Sequence, residues 1–231
     1  MKKQPSSELE KIITYEFINK ALLDEALTHP SVSYKNIHNL TINYERLEFL
    51  GDSVLGLVVA DMLIGLYPSE KEGNIAKRHS ALIRGETLVK VAQIIGLGKF
   101  IKMSDGEATT GGRENPSNLE NSLEAIIGAI YKDGGIEPAA RFIKLFWQER
   151  ADEMLEAPKD PKTKLQEWSQ GNVQPAPLYQ VIETEGPSHA PIFTIKLSII
   201  GREDVLAKGE SKKKAEMDAA FAMLKNIGLE K

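Results

Sequence analysis

The stretch NYERLEFLGDS, residues 43–53, sets three acids, Glu45, Glu48 and Asp52, among Leu47, Phe49 and Leu50. At about 100° per residue the three acids fall within about 60° of one another on a helix. Apolar side chains take most of the remaining circumference, and the acidic stripe continues as Gly56 and Val59. The pattern predicts a helix with carboxylates on its first two turns, where it leaves water, and with its remainder in a core. The run LGDSVLGLVVADMLIGLY, Leu50 to Tyr67, nears membrane-spanning length, but Asp52 and Asp61 interrupt it and favour a buried helix.

A second segment, NSLEAIIGAIY, repeats the device: Asn121 and Glu124 share one face, and Ile126, Ile127 and Ile130 take the others. Gly56 follows Asp52 by four residues and Gly128 follows Glu124 by four. The spacing predicts that two helices approach closely at these glycines and bring their polar faces together. Most helical acids are solvated or paired with lysine and arginine, and Glu45 alone fits that description. Asp52 and Glu124 are flanked by aliphatic residues, where an unpaired charge is costly and like charges repel, so a proton or a cation is expected there.

Working outward, apolar residues recur at helical spacing from Ser7 to about Met154, with no convincing strand alternation. Ser7 with Glu10 resembles a capping box, and Asn19 is placed to cap KALLDEALTH, which stops at Pro30. Helical blocks are expected at about 43–66, 75–95, 117–132 and 138–154, with Pro138 at a first helical position. Residues 102–118 read as an exposed polar loop. Two prolines among charges in EAPKDPK, residues 156–162, mark a linker. Beyond it, a helix at about 163–170, three alternating segments, LYQVIETEG, IFTIKLSII and DVLAKGE, and a helix at about 211–227 give α-β-β-β-α. The expected organisation is an all-α domain over 1–156, a linker over 157–161 and a small α+β domain over 162–231.

The 231 residues, 42% hydrophobic and 27% charged, with a net charge of −4, describe an ordinary globular chain whose nucleic-acid contacts must come from local basic clusters. With no cysteine, disulfides, thiolate metal sites and cysteine nucleophiles are excluded, and a reducing cytoplasm is the expected location. The opening MKKQPSSELE lacks the apolar core of a secretory signal, and no membrane association is expected. Oxygen ligands without thiolates select a hard cation, Mg2+ above all, with Mn2+ able to replace it. Such a site suits phosphodiester hydrolysis.

At these residues the sequence resembles the ribonuclease III family of double-stranded-RNA endonucleases. NYERLEFLGDS is similar to the family signature almost letter for letter, and EGNIAKRHSALIRGETLVKVA and LEAIIGAIYKD match in order. The resemblance implies the helical endonuclease fold of that family, with Glu48, Asp52, Asn121 and Glu124 as metal ligands and Asp52 and Glu124 as the catalytic pair. It places Glu45 and Glu72 near the RNA. It makes Phe49 a plug into a partner subunit, hence a homodimer that cuts both strands and leaves short 3′ overhangs. One position departs: family members commonly carry aspartate where this chain has Asn121, whose amide oxygen can coordinate but brings no charge. The expectation is a working nuclease that needs more Mg2+.

The C-terminal module resembles a double-stranded-RNA-binding domain. Lys212, Lys213 and Lys214 gather at a helix start, where dipole and charge favour phosphate. The resemblance gives Thr163, Gln166 and Glu167 to one minor groove and Pro187 and His189 to the next. His29, in LTHPS, reads as a capping or packing residue, and Trp147 and Trp168 as core. The leading expectation is an endoribonuclease acting on ribosomal and messenger precursors without an organic cofactor. A non-catalytic double-stranded-RNA binder is the alternative that Asn121 raises. A four-carboxylate nucleotide phosphatase would leave the C-terminal module unused.

Overall fold

Helical periodicity in the first part of the chain becomes helices α1 Pro5–Ile12, α2 Lys20–Ala26, α3 Glu45–Leu66, α4 Glu72–Leu82, α5 Gly85–Ile95, α6 Asp105–Thr109, α7 Pro116–Gly134 and α8 Ile136–Asp152. A two-residue antiparallel pair, β1 Tyr34–Lys35 and β2 Thr41–Ile42, precedes α3. This computed structural model describes residues 5–37, 39, 41–154, 160–172, 174–187 and 190–230. The chain divides into two compact units, 1–158 and 159–231.

In the first unit, α3 and α7 pack along each other at the centre, with α2, α4, α5 and α8 around them. Leu55, Val59 and Leu63 of α3 and Ala125 to Ile127 of α7 are fully buried between them. Among the described residues α3 is the one helix long and apolar enough to cross a membrane, and eight of its residues lie in this core, as a buried helix requires. The close approach is made by a different pair of glycines from the expected one. A Cβ on Gly51 would lie 1.7 Å from the Glu124 carbonyl oxygen, and one on Gly128 would lie 2.2 Å from that of Leu47. Gly56 faces the His79 ring instead, and its carbonyl meets His79 Nε2 at 2.9 Å. The helices cross one turn earlier than the spacing predicted.

Other boundaries also move. The block expected at 75–95 is two helices, because Arg84 is extended (φ −73°, ψ 150°) and Gly85, a poor helix former, starts the next. Ser7 lies inside α1 rather than capping it, and Glu10 accepts hydrogen bonds from Phe17 N and Lys20 Nζ. Pro138 sits at the third helical position, still in the first turn, where no N–H has an intrahelical acceptor. The segment 102–118 is not an open loop: it folds α6, capped by Ser104, and buries Asn118. Trp147 is fully buried with its indole N–H on the Leu82 carbonyl, as core packing predicts.

The second unit has α9 Pro161–Gly171, strands β3 Leu178–Glu185, β4 Ile192–Ser198 and β5 Val205–Gly209, and α10 Lys212–Asn226. The strands form one antiparallel sheet in the order β3-β4-β5, with a bulge between Val181 and Glu183. Leu165, Ile195, Leu197, Val205 and the Ala215, Ala219 and Met223 face of α10 make its core. Trp168 packs partly buried against it. Pro161, read as the end of the linker, is the first residue of α9, which Asp160 caps by accepting from Thr163 N. Of the rest of that linker, residues 157–159 lie outside the described residues.

Candidate active site

Asn43 starts the acidic helix. Its side chain is buried, accepts from Glu45 N at 3.1 Å, and donates to Glu45 Oε2 at 2.8 Å and Ser33 Oγ at 3.1 Å. Asn115 caps α7 by accepting from Ser117 N, with Pro116 in the first turn. Asn118 then ties α7 to its surroundings, donating to Glu107 Oε1 and the Gly112 carbonyl and meeting His29 Nε2 at 3.1 Å. His29 has the capping and packing role expected of it: Nδ1 accepts from Ser31 N, and the ring stands edge-on to Tyr44. These contacts fix the two helices whose glycine crossing sets Asp52, next to Gly51, beside Glu124.

Glu124 is 8% exposed and makes no hydrogen bond or ion pair among the described residues. Burial pushes its carboxyl up to about 8, reinforced by the negative charges of Asp52, Glu120 and Glu48 in that order. Glu48 is raised as well, first by burial and then by Glu45, Glu120 and Asp52. Asn121 acts on the Tyr44 hydroxyl in the lowering direction. Burial is the larger influence on that phenol and holds it up at about 12, so it stays neutral beside the acids. Glu48, Asp52, Glu120 and Glu124 therefore form one electrostatically coupled group, and none of them pairs with a lysine or arginine among the described residues.

That arrangement answers whether a hard cation fits. The donors are oxygens, their charges are uncompensated, and the most buried of them favours its proton. Among the described residues no three histidine, aspartate or glutamate side chains converge tightly enough to share an ion. Glu120 was not singled out from the sequence. The available signal was its position four residues before Glu124, which puts both on one helix face.

Asp52, whose aliphatic neighbours in sequence argued against an exposed position, is exposed on α3, and the remaining predicted residues are spread over the surface. Glu45 is exposed on the first turn of α3. Glu72 is exposed at the first position of α4, and its charge is not among those bearing on Glu48 or Glu124. Phe49 is 78% exposed and shares an outer face of α3 with Leu57 and Ile64. In the second unit Gln166, Glu167, Pro187, Lys212, Lys213 and Lys214 are all exposed, and His189 lies outside the described residues. The Thr163 hydroxyl donates to Asp160 Oδ2, Lys214 pairs with Asp218 at 2.9 Å, and Lys212 Nζ lies 5.9 Å from the centre of the Phe193 ring.

Residues 19–149 match the family model described as Ribonuclease-III-like, and residues 161–227 match the double-stranded RNA binding motif. The chain belongs to the ribonuclease III family. It is 53% identical over 222 residues to Ribonuclease 3 of Ehrlichia ruminantium, covering 96% of this chain and 97% of that one. Against Ribonuclease 3 of Wolbachia pipientis wMel it is 52% identical over 226 residues, covering 98% and 97%. The ribonuclease III nuclease domain of Campylobacter jejuni, known for structural flexibility in a region involved in dimer formation, superposes with a TM-score of 0.55 at 43% identity. It covers 61% of this chain and 97% of that one. The double-strand-specific endoribonuclease activity of the ribonuclease III family therefore belongs to this chain, with a nuclease unit and an RNA-binding unit in the expected order.

Proposed function

We propose that this ribonuclease III hydrolyses RNA duplexes with the help of a divalent cation, Mg2+ or Mn2+, held by Glu48, Asp52, Asn121 and Glu124. The products on this reading are 5′-phosphate and 3′-hydroxyl ends with short 3′ overhangs. The observation that carries the reading is the coupled group of carboxylates at the α3–α7 crossing, which no lysine or arginine neutralises among the described residues. A bound cation supplies positive charge to the scissile phosphate and acidity to an attacking water. Asp52 and Glu124 would orient that water through their carboxylate oxygens. Glu45 and Glu72 flank the duplex.

The exposed stripe of Phe49, Leu57 and Ile64 supports a second copy of the chain as its cover, giving a homodimer with one site per strand. In the C-terminal unit, Lys212, Lys213 and Lys214 meet phosphates across the major groove, and Thr163, Gln166, Glu167, Pro187 and His189 face minor grooves. Ribosomal precursors and some messengers in the cytoplasm are the proposed substrates, with no organic cofactor. Cleavage of a long perfect RNA duplex against Mg2+, with EDTA and a matched DNA duplex as controls, tests the cation reading. Metal-dependent cutting of RNA alone supports it, and cutting that persists in EDTA, or tight binding without product at any Mg2+, overturns it.

A further inference from the structure

Along α7 the residues Glu120 and Asn121 flank Glu124 from opposite sides. Glu120 lies about 40° from Glu124 around the helix and Asn121 about 60°. The Glu120 carboxylate is seated at the first residue of α5: a Cβ on Gly85 would fall 2.5 Å from Oε2 and 2.7 Å from Oε1. It is half-buried there and, among the described residues, pairs with no cation. Glu120 and Glu124, four residues apart, present their side chains on one face of α7. Glu124 supplies the independent sign that something positive belongs here, being more than nine-tenths buried and without a partner among the described residues.

We infer that Glu120 is a member of the cation site and supplies the negative charge that Asn121 lacks, so that the site keeps four carboxylates with one moved to the neighbouring position on α7. The inference rests on the cation reading proposed above. It changes the expectation drawn from Asn121 alone: the site has not lost a charge, and an unusual need for Mg2+ does not follow. A purely structural role is the competing explanation, since Glu120 also faces the start of α5, where Arg84 gives no side-chain cap.

The test is Mn2+ binding to the full-length, RNA-free protein, followed by electron paramagnetic resonance of the free ion, with thermal midpoints recorded for every variant. Glu120→Gln keeps the shape and removes the charge, and it should weaken Mn2+ binding about tenfold, the loss expected for one close charge in a partly exposed site. Glu120→Gln combined with Asn121→Asp should restore binding to within about threefold of the unmodified protein, because the charge returns at the adjacent position. Glu120→Asp keeps the charge and should hold affinity within the same range, a check that stands even if the glutamine variant folds poorly. Unchanged Mn2+ binding by Glu120→Gln overturns the inference. So does a weakened site that Asn121→Asp fails to restore, which would leave only the structural role. An unmodified protein that binds no Mn2+ removes the cation reading itself, a result distinct from either.

Discussion

Gly51→Ala tests the geometry on which the site depends. The added methyl carbon would stand 1.7 Å from the Glu124 carbonyl oxygen and 2.9 Å from Gly128 N, both backbone atoms. Neither can rotate away. To reach even the 3.0 Å that real Cβ atoms respect, α3 and α7 must part by more than 1 Å along a contact that fills the centre of the nuclease unit. Overpacking typically costs about 1–3 kcal/mol and sometimes more, and opening a buried seam adds lost packing, so about 3 kcal/mol or more is expected. The same shift moves Asp52 relative to Glu124, so cleavage should fall even in the fraction that folds. Urea unfolding followed by circular dichroism measures the first effect and single-turnover cleavage the second. Two controls lie on the same helix. A methyl added at Gly65 would meet nothing within 4 Å, and one at Gly56 would make only an ordinary contact with His79, so alanine at either should be neutral or stabilising by up to about 1 kcal/mol. A Gly51→Ala protein within about 1 kcal/mol of the parent would refute the crossing described for these helices.

Phe49→Glu should weaken self-association and slow cleavage by placing a charge on an exposed apolar stripe, and an unchanged sedimentation profile would remove that contact. In metal-free protein the raised Glu124 carboxyl binds its proton more tightly folded than unfolded. Its contribution to stability is therefore complete below the ordinary glutamate range and is lost as pH rises to about 8. Relative to Glu124→Gln, the parent should lose on the order of a few kcal/mol across that window, and parallel pH profiles of the two proteins would contradict the assignment. Lys213→Ala should weaken duplex binding more than Lys214→Ala, because Lys214 already pairs with Asp218 whereas Lys213 has no partner among the described residues. Equal losses in a filter-binding assay would count against that ordering, and the Lys213 variant should reduce the salt slope by about one.

Much of this could be read from residues 43–53 and 121–131, because period and composition suffice to place carboxylates on the emerging end of a buried helix. The second unit was equally legible, since the three segments expected as strands form strands at 178–185, 192–198 and 205–209, although only the last alternates strictly in burial. What the sequence does not carry is where two helices cross. Gly51 and Gly56 look alike in one dimension, and only the packing of α7 selects Gly51. Glu120 was hidden for a related reason: its role depends on Gly85, a residue of another helix, leaving room for its carboxylate. The break between α4 and α5 hinges on the extended backbone at Arg84, where side-chain periodicity runs on undisturbed.

The rate of RNA-duplex cleavage by Glu124→Gln at saturating Mg2+, set beside its affinity for the same duplex, tests whether the carboxylates at the α3–α7 crossing carry catalysis. Affinity should stay within about twofold of the parent while the rate falls by about a thousandfold, equivalent to about 4 kcal/mol of lost transition-state stabilisation. A variant that binds the duplex equally well and still cleaves within about tenfold of the parent would contradict the assignment of catalysis to the carboxylates at the α3–α7 crossing.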